Sequence, residues 1–503
     1  MKIAICYPPL PNPHGTPLLS QNRQFQFFSS PTYIYPVVPA QAASLLKSKG
    51  YEVIWMDGIA EEKTEEAYWN WLEIEKPDLI MVETKTPVVK RHWKFINYLK
   101  SQFPNLITVL VGDHVTALPE ESMQNCQVDY ILTGGDYDFL MLNLANHLTK
   151  KEKLEPGIWH RETQNSKLKT QNYNLKIKTT GSFQLNHDLN SLPFIDRELT
   201  KWQLYAYENG NYKRTPGTYV MAGRDCWWRR DGGCKFCAWT ILYPQFRTRS
   251  VKNVLDEIGI LIKKYQVQEI MDDTGTFPVG GWLKEFCQGM LKRGYHKKIY
   301  FDCNMRANIL TQEDYNLMAK AGFRFLLYGL ESANEKTLEK INKGIPAGAI
   351  VRDCQMAKEA NRRTGGHLQP HATCMVGYPW ESKKEAENTI ALTADLFGRG
   401  LIDSLQATIV IPYPGTALFK ECEKNNWLKT KDWSRYDMRE PIMKIPYSAS
   451  AAMALTRGIY KSFLTPKFIL KKIISIRGLE DIKFLMRGGI KFFGHLTDFS
   501  KKE

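Results

Sequence analysis

Residues 224–240 read RDCWWRRDGGCKFCAWT, placing Cys226, Cys234 and Cys237 in one short segment among tryptophans, arginines and a Gly-Gly pair. Seven residues separate the first two cysteines, and two separate the last pair. A C-x-x-C pair can chelate one metal centre, and a thiol just upstream adds a third donor. A structural zinc site wants four ligands, yet no cysteine or histidine follows within the next forty residues. An iron–sulfur cube held entirely by protein also takes four thiolates. Three thiolates on a cube leave one iron open for chemistry. Two other readings of the same residues stand beside this one. His296, Cys287 and Cys303 could fold back to complete a zinc site, or the thiols could be buried or redox-active without metal.

The whole chain narrows the setting. At 503 residues it should hold two to four compact units. A hydrophobic fraction of 43% and a charged fraction of 24% exclude large-scale disorder. The opening MKIAICYPPL is too short an apolar run for a signal peptide. No stretch of about 20 apolar residues appears, so a cytoplasmic protein is expected. Ten irregularly spaced cysteines in such a chain point to metal or redox chemistry in a reducing compartment. The net charge of +15 is spread along the chain, which is the pattern of a solvated basic surface.

Residues 1–150 alternate short apolar runs (KIAICYP, YEVIWMDG, DLIMVETKTP, LITVLVGDH, VDYILTGG) with helical stretches. That alternation predicts βαβ units and a parallel sheet. Ligands on such sheets sit at the carboxyl ends of the strands, here Tyr7–Pro9, Thr84–Pro87, Gly112–His114 and Thr133–Asp136. The absence of G-x-G-x-x-G after the first strand argues against a dinucleotide site. Residues 151–215 are polar and irregular, and are expected as a linker with one hairpin. Residues 216–415 carry about six further strand–helix repeats, the pattern of a partial barrel with its active face at the strand carboxyl ends. Residues 416–503 are expected to be mainly helical. The fold class is therefore α/β: a Rossmann-like N-terminal domain, a partial (β/α)6 barrel of the TIM type, and a helical C-terminal region.

Cysteines, strand ends and N-terminal loops together resemble a cobalamin-binding radical S-adenosylmethionine enzyme, similar to the class B radical methylases, over nearly the full length. The resemblance implies that Cys226, Cys234 and Cys237 hold a [4Fe–4S] cluster and that S-adenosylmethionine chelates the open iron. Electron transfer would then cleave it to a 5′-deoxyadenosyl radical. The commonest spacing in that superfamily is three residues and then two; the Gly-Gly pair lets this longer loop fold back so that Cys226 reaches. By the same resemblance, Phe236 packs near the adenine, and Asp272 and Asp273 hold the methionine amino group. Arg306, Glu331 and Ser332 bind carboxylate and ribose, and the backbone at Gly377 borders the adenine. The residues alone allow plainer roles: core packing for Phe236, a turn or N-cap for the aspartates, and an ion pair between strand ends for Arg306 and Glu331.

VETKTP, VGDHVTALPEE and VDYILTGGDYDFL resemble the strand-end loops of a cobalamin-binding domain, which assigns Thr84, Gly112, Gly134 and Gly135 to cobalamin. The D-x-H-x-x-G motif that supplies histidine to cobalt is absent, so His114 is expected as a loop residue and cobalamin as base-off. The implied activity is methyl transfer to an unactivated carbon or a phosphinate-type phosphorus of a small molecule, driven by an external one-electron reductant. A cobalamin-dependent radical cyclisation or rearrangement without methyl transfer is a second reading. A non-catalytic corrinoid or metal-binding sensor is a third. No nucleic-acid-binding motif appears, so a nucleic-acid partner is not expected. Trp227, Trp228 and Trp239 could wall the cavity or pack around the cysteine loop, and Arg229 and Arg230 could meet an anionic substrate or solvent. From Lys461 onward ten lysines and arginines stand against four acids, interleaved with apolar residues. That segment fits either a peripheral membrane contact or a helical cap on the barrel.

Overall fold

The apolar runs of the N-terminal third become strands buried on both faces, as parallel strands covered by helices require; all five residues of Leu79–Glu83 are buried. The computed structural model describes residues 1–19, 25–29, 32–162, 176–209, 211–460 and a few positions between 470 and 489. Strands β1 (Lys2–Tyr7), β2 (Glu52–Asp57), β3 (Leu79–Glu83), β4 (Ile107–Val111) and β5 (Tyr130–Leu132) pair in parallel in the order β2-β1-β3-β4-β5. The winding reverses between β1 and β3, and such a reversal opens a ligand crevice at the strand carboxyl ends. There the Tyr7 hydroxyl donates to Glu83, as does that of Tyr137 at 3.3 Å.

In the stretch expected as a linker with one hairpin, the described residues form that hairpin and a packed segment after it. Strands β6 (Ile158–Glu162) and β7 (Lys176–Thr179) extend the first sheet as an antiparallel hairpin. Beyond it, Leu185, Ile195, Trp202 and Tyr205 are buried. The Tyr205 hydroxyl donates to Asp57 at 2.6 Å, and Arg197 donates to Thr218 at 2.6 Å and to the Tyr219 carbonyl at 2.9 Å. A polar sequence with sparse apolar anchors thus becomes a wedge between two sheets.

The second sheet is all-parallel and open, with β8 (Gly217–Val220), β9 (Glu269–Asp272), β10 (Tyr300–Met305), β11 (Phe323–Glu331), β12 (Gln369–Val376) and β13 (Ser404–Ile409) in sequential order. One apolar cluster runs from Ile3 and Leu79 in the first sheet to Tyr219, Phe301 and Leu326 in the second. Toward the C-terminus, helices span Ala417–Lys424 and Ala449–Ile459. Trp433 reaches back to the first domain, donating to Glu121 at 2.9 Å. Most of the segment from Lys461 onward, which carries the membrane-or-cap expectation, lies outside the described residues. Among the described residues no helix is long and apolar enough to cross a membrane.

A buried ionic cluster joins the sheets. Arg224, two residues before the first loop cysteine, pairs with Asp136 at 2.6 Å and with Asp138, and donates to Gln41 at 3.0 Å. Arg247 pairs with the same Asp136 at 2.6 Å, and His187 lies 3.1 Å from it. Burial works against the Asp136 carboxylate, but Arg224, His187 and Arg247 together hold its pKa well below the usual range. Burial also works against a charged His187, yet Asp136 and Glu155 push its pKa up to about 9. Replacing Arg224 with methionine strands Asp138 without its cation. The expected cost is about 3–5 kcal/mol, the scale of a broken buried pair. Urea unfolding of Arg224→Met beside Arg224→Lys measures it, and the lysine variant should lose distinctly less.

Candidate functional site

The cysteine loop is anchored first by its backbone. Gly223–Arg224 pairs antiparallel with Arg247–Thr248, and a Cβ on Gly223 would sit 2.6 Å from the Arg247 carbonyl oxygen. The residues between Cys226 and Cys234 wind into a single 3-10 turn over Trp227–Asp231. Gly232 and Gly233 then take left-handed φ of 90° and 72°, and the chain turns back on itself, with Gly233 N–H donating to the Trp228 carbonyl at 3.1 Å. This is the return that the Gly-Gly pair was expected to permit. A salt bridge of 2.7 Å from Arg229 to Asp225 closes the turn.

The segment that follows the helix Glu335–Lys340 clasps the loop from outside. Lys235 N–H donates to the Ile341 carbonyl at 3.0 Å, and Trp228 Nε1 to that of Asn342 at 2.8 Å. Asn342 Nδ2 donates to the carbonyls of Asp231 and Gly233 at 2.8 and 2.9 Å. Gly344 lies flush under Trp228, where a Cβ would come within 2.1 Å of the indole.

All ten cysteines are free. Cys226, Cys234 and Cys237 are partly exposed, and the other seven are buried. Cys226 Sγ lies 2.9 Å from the Thr276 hydroxyl. Burial pushes the Cys234 thiol up, while the nearby cations Lys343 and Arg306 pull it back toward the thiolate. The zinc reading fails on geometry. Cys287 and Cys303 are locked in the main apolar core, and the His296 ring faces the Met290 carbonyl. Among the described residues no group of three His, Cys, Asp or Glu converges as one metal ion requires. Three separated soft thiolates fit instead a multi-iron cluster in which each sulfur takes a different iron.

The residues assigned to S-adenosylmethionine divide into two sets. Arg306 stacks on Trp228 with its guanidinium carbon 4.2 Å from the ring centroid, and its buried Nη2 has no hydrogen-bond partner among the described residues. Phe236 is half-buried against an apolar group that includes Leu338, Ile341 and Tyr378. Gly377 has φ of 95°, donates its N–H to the Tyr447 hydroxyl at 3.1 Å, and has space around its Cα. Glu331, itself left-handed at φ 63°, is paired with Lys343 at 2.8 Å. The other set is committed to the fold. Asp272 accepts from the backbone of Ala222 at 2.6 Å and of Thr274 at 2.9 Å, and burial pushes its pKa up to about 7. Its place is the backbone turn after β8, not a ligand amine. Asp273 is buried beside Lys85, facing the first domain. Ser332 is hydrogen-bonded at 3.1 Å to the buried Glu381. Trp239 is fully buried in the core, whereas Trp227 and Trp228 are partly exposed. Arg229 is spent on Asp225, and Arg230 lies exposed against Asp231.

The assigned cobalamin residues also divide. The Thr84 hydroxyl meets His92 Nδ1 at 2.7 Å, and Gly112, at φ 119°, lets the chain pass so close that a Cβ would be 2.2 Å from the Thr84 carbonyl oxygen. Gly134 and Gly135 make room for protein: a Cβ would strike Phe183 at 2.7 Å and Tyr243 at 2.0 Å respectively. Both nitrogens of His114 have protein partners, Thr86 at 3.1 Å and Glu121 at 3.2 Å. Two polar atoms at this edge are buried without a hydrogen-bond partner among the described residues, Lys85 Nζ and His92 Nε2. Orphaned groups of this kind are rare in a finished interior and fit a polar ligand at the switch point. Lys85 falls within the strand end Thr84–Pro87 without being singled out there, and Asn342 and Lys343 carry no local signal in the sequence, since a lysine or asparagine beside a helix reads as surface.

Residues 222–393 match the family model of the radical SAM superfamily. The chain is 26% identical to an uncharacterized methyltransferase of Pyrococcus horikoshii, covering 91% of this chain and 94% of that one. It is 24% identical to the anaerobic magnesium-protoporphyrin IX monomethyl ester cyclase of Rubrivivax gelatinosus, over 91% of this chain and 78% of the cyclase. Its fold is that of the radical S-adenosylmethionine methyltransferase TsrM from Kitasatospora setae, solved with cobalamin and a [4Fe–4S] cluster (TM-score 0.65, 12% identity, 99% of each chain). The cobalamin-dependent radical enzyme OxsB, solved with aqua-cobalamin and S-adenosylmethionine, superposes with a TM-score of 0.65 at 14% identity, over 98% of this chain and 71% of OxsB.

Asp272 gives a pH test of the site's scaffold. Its folded pKa of about 7 lies above the ordinary 3.8, so it favours the folded state fully at low pH and loses that contribution as pH rises through the folded value. Asp272→Asn carries no such loss. The stability of the variant minus that of wild type should climb between about pH 4 and 7, by up to about 1.4 kcal/mol per unit. A flat difference in urea melts across that range would contradict the assignment.

Proposed function

We infer that this chain, which carries a radical SAM domain in residues 222–393, is a cobalamin-dependent radical S-adenosylmethionine enzyme. Its reaction is methyl transfer to an unactivated carbon or a phosphinate-type phosphorus of a small molecule. The observation that carries the reading is the cysteine loop: three partly exposed thiols beside two buried cations, with an unpartnered Arg306 Nη2 within the same site. We read the open six-stranded sheet as a partial (β/α)6 barrel and the first sheet as the cobalamin-binding domain.

Cys226, Cys234 and Cys237 would hold a [4Fe–4S] cluster, which when bound supplies the electron that cleaves S-adenosylmethionine. Cobalamin, lying against Thr84–Pro87 and Gly112, would supply a methyl carrier. The chain's own residues do the rest. Arg306 offers a charge-assisted donor to a carboxylate, and Phe236 with the Gly377 backbone offers a flat apolar bed for an adenine. Trp227 and Trp228 cover the Arg306 side of the loop and keep water from it. Arg224 holds both strand edges face to face, which brings two cofactors within one site.

The cyclase relatives favour a second reading, radical cyclisation without methyl transfer. Product analysis with methyl-deuterated S-adenosylmethionine separates the two, because only a methyltransferase carries the label into product. Simultaneous change of Cys226, Cys234 and Cys237 to alanine should abolish the cluster's absorption and its bound iron. A triple variant that still binds four irons refutes the ligand assignment. With cobalamin added, the paramagnetic resonance spectrum of the Co(II) form should show no axial nitrogen splitting, and His114→Ala should leave it unchanged. Nitrogen splitting that vanishes in His114→Ala would overturn the base-off expectation.

A further inference from the structure

Lys343 lies just after the helix Glu335–Lys340, outside the cysteine motif, yet the residue is only 7% exposed and its ammonium pairs with Glu331 beside the cysteine loop. It pairs with Glu331 Oε1 at 2.8 Å directly over Gly329, where a Cβ would come within 2.0 Å of the carboxylate and 2.6 Å of the ammonium. The absence of a side chain at Gly329 is thus what admits the pair. The segment that carries Lys343 is the same one that clasps the cysteine loop through Ile341, Asn342 and Gly344. Its position is therefore tied to that of the thiols. The charged groups around it are Glu331, Arg306 and Cys234. Burial works against the ammonium, and the Glu331 carboxylate 2.8 Å away compensates it. Lys343 is paired with Glu331, and the buried Arg306 lies within electrostatic reach of the same carboxylate, so two cations stand against one carboxylate beside the sulfurs.

We propose that Lys343 is a positioning residue of the cysteine site: it holds the Glu331 carboxylate in place over Gly329 and supplies a buried positive charge that makes a cluster on these thiols easier to reduce. The electron comes from an external one-electron reductant, and Lys343 shifts only the equilibrium of that transfer. Net charge near the sulfurs is among the levers that set cluster potentials. A fixed cation favours the state with one more electron, and low local dielectric strengthens the effect. The proposal rests on the cluster reading above.

The test is a redox titration of reconstituted full-length protein followed by electron paramagnetic resonance, without S-adenosylmethionine. Lys343→Met keeps length and removes charge; it should retain four irons and show a tenfold loss in the reduction equilibrium, a midpoint about 59 mV more negative for one electron. Lys343→Arg should restore most of the difference, and Glu331→Gln should move the midpoint the opposite way. A Lys343→Met cluster with the wild-type midpoint, or a Lys343→Arg midpoint as displaced as that of methionine, overturns the proposal. If Lys343→Met fails to hold a cluster, Glu331→Gln decides: a less negative midpoint supports the proposal, and an unmoved or more negative one overturns it. Wild-type protein that takes up no cluster overturns the cluster reading itself, and this proposal with it. An unmoved midpoint on an intact cluster removes this proposal alone.

Discussion

The constraint on which the rest of the structure depends is the buried guanidinium of Arg224. It stands two residues before Cys226 and is anchored in the first domain by Asp136, Asp138 and Gln41. A fully buried cation requires partners with nearly ideal geometry, because the desolvation cost of each charge is recovered only by its neighbours. Here the two acidic partners belong to the loop after β5 and the helix that follows it, and Gln41 to the helix Val37–Ser48, so the cysteine loop cannot shift without breaking the ion cluster. Arg247 doubles the constraint by reaching the same Asp136 from the strand that pairs with Gly223–Arg224. The carboxyl ends of the two sheets' strands are thereby tied to each other through one ion cluster.

Fixing the start of the loop does not fix its middle. Seven residues between Cys226 and Cys234 would leave the first thiol poorly placed if they were loose. The structure removes that freedom twice: internally through the 3-10 turn and the Arg229–Asp225 pair, and externally through Asn342, whose amide bonds two carbonyls of the loop. Gly232 and Gly233 supply the left-handed turn that an ordinary side chain would resist. The length of the insertion and the presence of the 341–344 clasp are thus two parts of one arrangement.

Much of this was legible in the sequence, for identifiable reasons. Parallel strands buried on both faces must be continuous apolar runs, so IAICY, LIMVE and TVLV declare themselves. The cysteines declare themselves because thiols cluster for few reasons. What was not legible depends on what approaches a residue from far along the chain. Gly134 and Gly135 advertise a close approach, but the approaching groups are Phe183 and Tyr243, not a cofactor. Asp272 ends a strand as a ligand-binding carboxylate would, and it accepts instead from the backbone of Ala222 at the neighbouring strand end and of Thr274 in its own turn. Residues 151–215 look like a linker because a wedge needs only a few apolar anchors, and those few are diluted among polar residues. Lys343 sits in a segment that looks like solvent-facing helix end, and only the fold brings it to the sulfurs.

The unsatisfied groups carry the last step. Lys85 Nζ and Arg306 Nη2 are buried, have no hydrogen-bond partner among the described residues, and belong to opposite domains. Leaving such donors unmade costs about 1–3 kcal/mol each, and more when charged, a cost that a polar ligand at either place would relieve. Lys85 faces three carboxylates, Asp113, Glu83 and Asp273, and therefore suits a neutral acceptor better than an anion. Arg306 stands in a cationic surplus, with Lys343 beside it and one carboxylate between them, and suits an anion. The two edges that Arg224 holds together thus ask for different chemistry: neutral acceptors on the first-domain side, a carboxylate on the cysteine side. That asymmetry accords with the proposed reading of two unlike cofactors, since each edge would select a different polar group.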